Sequence, residues 1–226
     1  MITVLFDIDG TLISTAGAGR AALNAAMQEE FAVAEPANVP VSGRTDRGIA
    51  RNLFRAHDLA DNEENWLRFR RSYLHHLQRE LPARGGEVLP GITQLLSHLI
   101  DRGDLQLGLL TGNIREGARL KLEYYDLFRH FAFGGFGDQH ADRDLVAAAA
   151  LAASHEHAGR RGLAIDTDRV WVIGDTPLDV TCARAIGARV AAVATGSFDR
   201  AALEVYEPDL LFDSLLDHAP LLQQLS

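Results

Sequence analysis

The sequence predicts an α/β fold built on a parallel sheet with a helical insert, and three observations carry that expectation. The chain opens on a continuous apolar run, Ile2 to Phe6, the pattern of a strand buried on both faces. From residue 92 onward, short apolar runs alternate with helical patterns, which implies parallel strands joined by crossover helices. Between about residues 17 and 81 the spacing is helical throughout, with no convincing strand.

The elements follow in order. After the first strand, Ala21, Ala22, Leu23, Ala25, Ala26 and Met27 lead to Phe31 and mark a first helix. A second helix is expected after Thr45, and a third from about Asn62 to Leu81, where Trp66, Leu67, Phe69, Tyr73, Leu74 and Leu77 recur at helical spacing. Gly85, Gly86, Pro90 and Gly91 break the segment from Pro82 to Gly91, which reads as a hinge back to the sheet. Beyond it the sequence predicts helices near 92–101, 115–125, 144–157 and 178–186, and strands at 105–110, 131–133, 170–173, 189–193 and 210–212.

Composition narrows the function classes. The chain has 226 residues, 47% of them hydrophobic, enough for a sizeable core in one large domain or a core with a smaller insert. Lys and Arg number 22 against 31 Asp and Glu, and the net charge of −9 argues against nucleic acid or an anionic membrane as partner. Cys182 is the sole cysteine, which excludes an intrachain disulfide and suggests a cytoplasmic setting, with the thiol as helix packing. The start MITVLFDIDG lacks a basic lead and does not read as a signal peptide, and no later run has the length of a membrane span. Nothing in the sequence specifies an oligomeric state.

The polar clusters fall just after the strands, where open α/β sheets bind ligands. Asp7 and Asp9 end the first strand, and Gly10 allows the chain to turn there. Two acids so close call for a cation, and an all-oxygen set without a His or Cys pair points to magnesium. Thr111, Gly112 and Asn113 follow the next strand and offer a hydroxyl and helix-start amides to an anion, although Asn113 also suits an ordinary cap. Asp175 and Asp179 follow the run from Val170 to Ile173; Asp175 is expected to complete a carboxylate set, with Asp179 in support or acting as a helix-start acid. A basic residue should complete a phosphoryl site. Arg143, at the start of a helix, is favoured over Lys121, the only lysine, whose neighbours Leu120, Leu122 and Tyr124 suggest a solvated helix face.

Taken together, DIDGT at 7–11, TGN at 111–113 and GDTPLD at 174–179 resemble the haloacid dehalogenase superfamily over essentially the whole chain, in particular its phosphoglycolate-phosphatase-like members with a helical, C1-type cap. The resemblance implies a Rossmann-like parallel-sheet core, residues 1–15 and 86–226, with an inserted all-helical cap, residues 16–85. It implies a magnesium-dependent phosphatase that acts on a small phosphorylated metabolite through an aspartyl-phosphate. Asp7 takes the place of the nucleophile and Asp9 that of the general acid and base, with its main-chain carbonyl on the metal. Thr111 maps to the phosphoryl-binding hydroxyl and Asp175 to the metal carboxylate. The family's third motif usually supplies a lysine, and here Arg143 stands in that zone.

Within the superfamily, Asp9 argues against carbon–halogen cleavage, and the lack of a cap lysine argues against a Schiff-base phosphonatase. A sugar-phosphate mutase and a noncatalytic binding module are the alternatives. In the cap, Arg20 and the turn Ser42-Gly43-Arg44-Thr45-Asp46-Arg47, Arg44 and Thr45 above all, are the polar groups expected to meet the leaving group.

Overall fold

The computed structural model describes residues 1–138 and 140–226. Its strands are β1 (Ile2–Phe6), β2 (Ile13–Ser14), β3 (Glu87–Val88), β4 (Leu105–Leu110), β5 (Phe133–Gly135), β6 (Val170–Gly174), β7 (Arg189–Val193) and β8 (Leu210–Phe212). Its helices are α1 (Ala18–Phe31), α2 (Asp46–Ala56), α3 (Glu63–Arg84), α4 (Ile92–Ile100), α5 (Arg115–Tyr124), α6 (Arg143–Arg160), α7 (Pro177–Ala185), α8 (Arg200–Glu204) and α9 (Ala219–Gln224). Six strands form a parallel sheet in the order β5-β4-β1-β6-β7-β8. This is the Rossmann-like α/β core with a helical cap that the sequence predicts.

All five residues of β1 are buried, because helices cover both faces of the sheet. Alternation along the strands sorts the side chains. Val4, Phe6, Leu107, Leu109, Trp171 and Ile173 pack on one face with Leu95, Leu96 and Leu99 of α4 and Ala118 and Leu122 of α5. Leu5, Leu110, Val172, Val190 and Ala192 pack on the other with Val146, Ala147 and Ala150 of α6 and Val180, Cys182 and Ala183 of α7. The Cys182 thiol is fully buried there, and burial pushes it up to about 12, as befits a packing residue. A third cluster lies inside the cap, where Leu23 and Met27 of α1 meet Leu53 and Phe54 of α2 and Trp66, Phe69, Tyr73 and Leu77 of α3.

Three differences from the sequence reading have local causes. The strand expected at 131–133 lies at Phe133–Gly135, because Gly134 and Gly135 pair with Leu109 and Leu110 instead of forming a loop. Helix α3 runs through Pro82 to Arg84 and stops on Gly85, which adopts the left-handed conformation at φ 65. At the expected hinge, β2 and β3 pair antiparallel through Ile13 with Val88 and Ser14 with Glu87, so the two connections between core and cap run side by side. Among the described residues, no helix is long and apolar enough to cross a membrane.

Candidate active site

Strands β4, β1 and β6 are neighbours, and successive strands add outward from them in opposite directions, so a crevice opens beyond their carboxyl ends. Asp7, Thr111 and Asp175 each come one residue after one of these strands, and all three line a cavity of about 400 Å³ beneath the cap. Gly10 makes the approach between β1 and β6 feasible. Its φ is +88, and a Cβ there would lie 2.4 Å from Asp175 Oδ2, so another residue would be both strained and in collision.

Asp7 is 5% exposed and Asp175 2%, and the carboxylate oxygens of Asp7, Asp175 and Asp179 lie within 4.8 Å of one another. Burial raises the Asp7 carboxyl to about 6, against the opposing pull of Arg143 and with the neighbouring charges of Asp179 and Asp9 adding to the rise. Asp175 is raised well above the carboxylate range, first by burial and then by Asp179 and Asp7, while Thr11 Oγ1 donates to its Oδ1 at 3.1 Å. Asp179 is held by the start of α7: Thr176 caps the helix, and Asp179 Oδ2 accepts from Thr176 N at 3.0 Å and Thr176 Oγ1 at 2.7 Å.

Arg143, the first residue of α6, is the cation of this cluster. Its Nη2 donates to Asp179 Oδ1 and lies 3.1 Å from Asp7 Oδ1, and its Nη1 reaches Gly43 O in the cap at 3.3 Å. Two of the three buried acids, Asp7 and Asp179, therefore share one guanidinium. When ionised, the three carboxylates outnumber this cation, and their all-oxygen donor set fits a hard divalent ion. The Asp9 side chain lies outside this cluster and pairs with Asn113 and Lys121.

Lys121 corrects the sequence reading, which made it a solvated residue. It is 4% exposed, and its Nζ donates to Asp9 Oδ2 at 2.6 Å and Asn113 Oδ1 at 2.7 Å. A signal was present in the sequence: Ile114, Ala118, Lys121 and Leu122 form a buried stripe on α5 at helical spacing, and the lysine lies on it. Asn113 Nδ2 donates to Asp9 Oδ2 at 2.8 Å and Thr111 Oγ1 at 2.9 Å. The Thr111 hydroxyl proton is thereby left to a ligand.

Thr111, Gly112 and Asn113 line the cavity, whereas the next two amides, at the start of α5, are already taken. Ile114 N donates to Asp46 Oδ2 and Arg115 N to Asp138 Oδ2, each at 2.8 Å. Asp46, expected with its cap turn to face a leaving group, instead holds this helix start; burial raises its carboxyl to about 6, with Lys121 pulling the other way. Gly112 permits this contact, since a Cβ there would lie 2.1 Å from Arg44 O.

Of the cap residues, Arg20 and the exposed Arg44 line the cavity, with Arg20 Nη1 donating to Val39 O at 2.9 Å. Thr45 does not belong with them. Its hydroxyl caps α2, accepting from Gly48 N at 3.0 Å and donating to Ala141 O at 3.1 Å, because the residue before a helix is where a threonine satisfies a free amide. Tyr73, which the sequence marks only as part of a helical apolar stripe, and the loop Thr195–Ser197 after β7, which carried no sequence signal, also line the cavity.

A parallel α/β core with a helical cap and paired acids at its central strand ends defines a capped hydrolase of the Rossmann-like class. Residues 4–184 match the haloacid dehalogenase-like hydrolase family, to which the chain belongs. It is 31% identical over 203 residues to a phosphoglycolate phosphatase of Rhodospirillum rubrum, a match covering 85% of this chain and 79% of that protein. A phosphoglycolate phosphatase of Mesorhizobium japonicum is 28% identical over 222 residues, 94% of this chain and 92% of that one. Among solved structures, a hydrolase from Pseudomonas syringae has the same fold, with a TM-score of 0.73, 22% identity and 100% of both chains covered.

Proposed function

We propose that this haloacid dehalogenase-like phosphatase hydrolyses a small phosphorylated carboxylic acid of the phosphoglycolate type, with magnesium, through an aspartyl-phosphate on Asp7. The observation that carries this reading is the convergence of Asp7, Thr111, Asp175 and Arg143 on one cavity from four different elements. The substrate class is supported by the names of the two relatives and by Arg20 and Arg44. Neither forms an ion pair with a carboxylate among the described residues, so both retain positive charge for a second anionic group. The lone buried cysteine fits a reducing, cytoplasmic setting.

The residues divide the reaction between them. Arg143 holds Asp7 Oδ1, which leaves the other oxygen to form the new bond to phosphorus as the ester bond breaks. Thr111 donates its free proton to a phosphoryl oxygen, and Arg143 and Gly112 border the same space. Asp9 gives a proton to the departing oxygen and then takes one from the water that cleaves the acyl-phosphate. Asp7, the Asp9 carbonyl and Asp175, with Asp179 in support, would hold the magnesium ion, which supplies the charge neutralisation that lets two anions meet. Arg20 and Arg44 orient the leaving group.

The test is phosphate release from phosphoglycolate, measured with and without magnesium and compared with sugar phosphates and with the Asp7→Asn variant. We expect magnesium-dependent turnover that falls at least about 10³-fold in the variant. Equal rates in the two proteins would refute the nucleophile. An isomerised sugar phosphate formed in place of free phosphate would make the enzyme a mutase.

A further inference from the structure

We propose that Lys121 is the positioning residue for Asp9, so that the site contains two buried cations with separate duties: Arg143 fixes the nucleophile and Lys121 fixes the proton-transfer group. The inference rests on the reaction proposed above. Its basis is a partition visible in the contacts. The Arg143 guanidinium pairs with Asp7 and Asp179, whereas the Lys121 ammonium pairs with Asp9 at 2.6 Å.

Asp9 needs such a partner more than Asp7 does. Its side chain is 39% exposed toward the cavity, whereas that of Asp7 is 7% exposed and packed in place. A half-exposed carboxylate on a turn samples several rotamers unless it is tied. Lys121 Nζ and Asn113 Nδ2 both bind Asp9 Oδ2, which leaves Oδ1 as the oxygen presented to a departing group.

The chemistry of the lysine also fixes Asn113. An ammonium only donates, so it requires the amide oxygen of Asn113 to face it, at 2.7 Å, and this turns the amide nitrogen toward Asp9 and Thr111. One side chain thus sets the orientation of three groups in the site. Helix α1 of the cap covers it: a Cβ at Gly19 would lie 3.5 Å from Nζ. Burying an ammonium at 4% exposure costs more than burying a methionine of similar length, so stability alone gives no reason to place one here.

The experiment separates the two duties by choice of leaving group. p-Nitrophenolate departs without a proton, so enzyme phosphorylation from p-nitrophenyl phosphate needs Asp7 and Arg143 but not Asp9. Hydrolysis of the phosphoenzyme needs Asp9 as base. In Lys121→Met, rapid-mixing measurements should show a burst of about one p-nitrophenol per enzyme at close to the wild-type rate, followed by turnover at least about 100-fold slower. An alkyl phosphate, whose alkoxide must be protonated, should give no burst. Lys121→Arg should recover at least about tenfold of the lost turnover.

Burst and turnover falling together, or neither falling, would overturn the proposal. If Lys121→Met does not fold, Asn113→Ala, which removes the strut and keeps the ammonium, must show the same burst followed by slow turnover; its failure to do so overturns the proposal equally. Trapping of the wild-type phosphoenzyme with hydroxylamine keeps the outcomes distinguishable. No trapped enzyme would refute the aspartyl-phosphate reading and the Lys121 proposal with it, whereas a trapped enzyme without the burst signature would refute Lys121 alone.

Discussion

Arg143 is buried between two carboxylates, and its value is clearest from what its removal leaves behind. Arg143→Ala would strand Asp7 and Asp179 in a site where they are 7% and 1% exposed, and breaking one side of a buried ion pair costs about 3–5 kcal/mol. Urea unfolding of the metal-free protein should show that loss; a change below about 1 kcal/mol would mean that the guanidinium does not neutralise the acids. The proton affinity of Asp7 gives a second prediction. Its carboxyl is raised from 3.8 to about 6, so between those values the folded chain binds a proton that the unfolded chain has released. Metal-free stability should therefore fall as pH rises from about 4 to 6, by about 3 kcal/mol for this group. A divalent ion needs the ionised form. The rise in Tm on adding magnesium should be full at pH 7.5 and shrink at pH 5, and an equal rise at both would remove Asp7 from the ligand set.

At the scale of elements, the helix starts do as much as the strands to place the chemistry. Thr45 caps α2 and Thr176 caps α7, and the Thr176 cap fixes the direction in which the Asp179 carboxylate is presented. Thr45→Ala should cost about 1–2 kcal/mol in thermal or urea unfolding. Turnover at saturating substrate should stay within about threefold, because the Thr45 hydroxyl faces a helix end and not the cavity; a large fall in kcat with unchanged stability would restore Thr45 to the substrate site.

The same scale explains what was legible in the sequence. Strands β1, β4, β6 and β7 read clearly because a strand buried on both faces is a continuous apolar run, and the acids and the threonine beyond such runs stand out. Lys121 and Asp46 did not read clearly. A lone charged residue on a helix is normally solvated, and the buried stripe that encloses Lys121 becomes meaningful only once α1 is known to lie above it. The filling of the Ile114 and Arg115 amides did not read for a related reason: the carboxylates that take them come from distant parts of the chain, Asp46 in the cap and Asp138 after β5.

For the molecule as a whole, the contrast between its apolar clusters and its polar seam determines how it opens. The cap has its own apolar cluster, to which the core contributes Ile114 as a buried member and Leu120 and Tyr125 at its edge. The seam beside the active site is instead held by hydrogen bonds: Asp46 N to Gly112 O at 2.7 Å, Ile114 N to Asp46 Oδ2 at 2.8 Å, and Ser42 Oγ to Ser197 Oγ at 3.0 Å. Water replaces such bonds at a net cost of about 1 kcal/mol each, far less than exposing either sheet face. The paired β2–β3 connections supply a place to bend. Cap opening should therefore occur at a much lower free energy than global unfolding. The Ile114 amide reports it directly, because its acceptor lies on the cap while its own backbone lies on the core. In hydrogen exchange it should be at least about tenfold less protected than Leu109 in β4, and inorganic phosphate with magnesium should slow Ile114 while leaving Leu109 unchanged. Equal protection of the two amides, with or without the ligand, would show that cap and core open only together, and substrate entry would then need a route other than this seam.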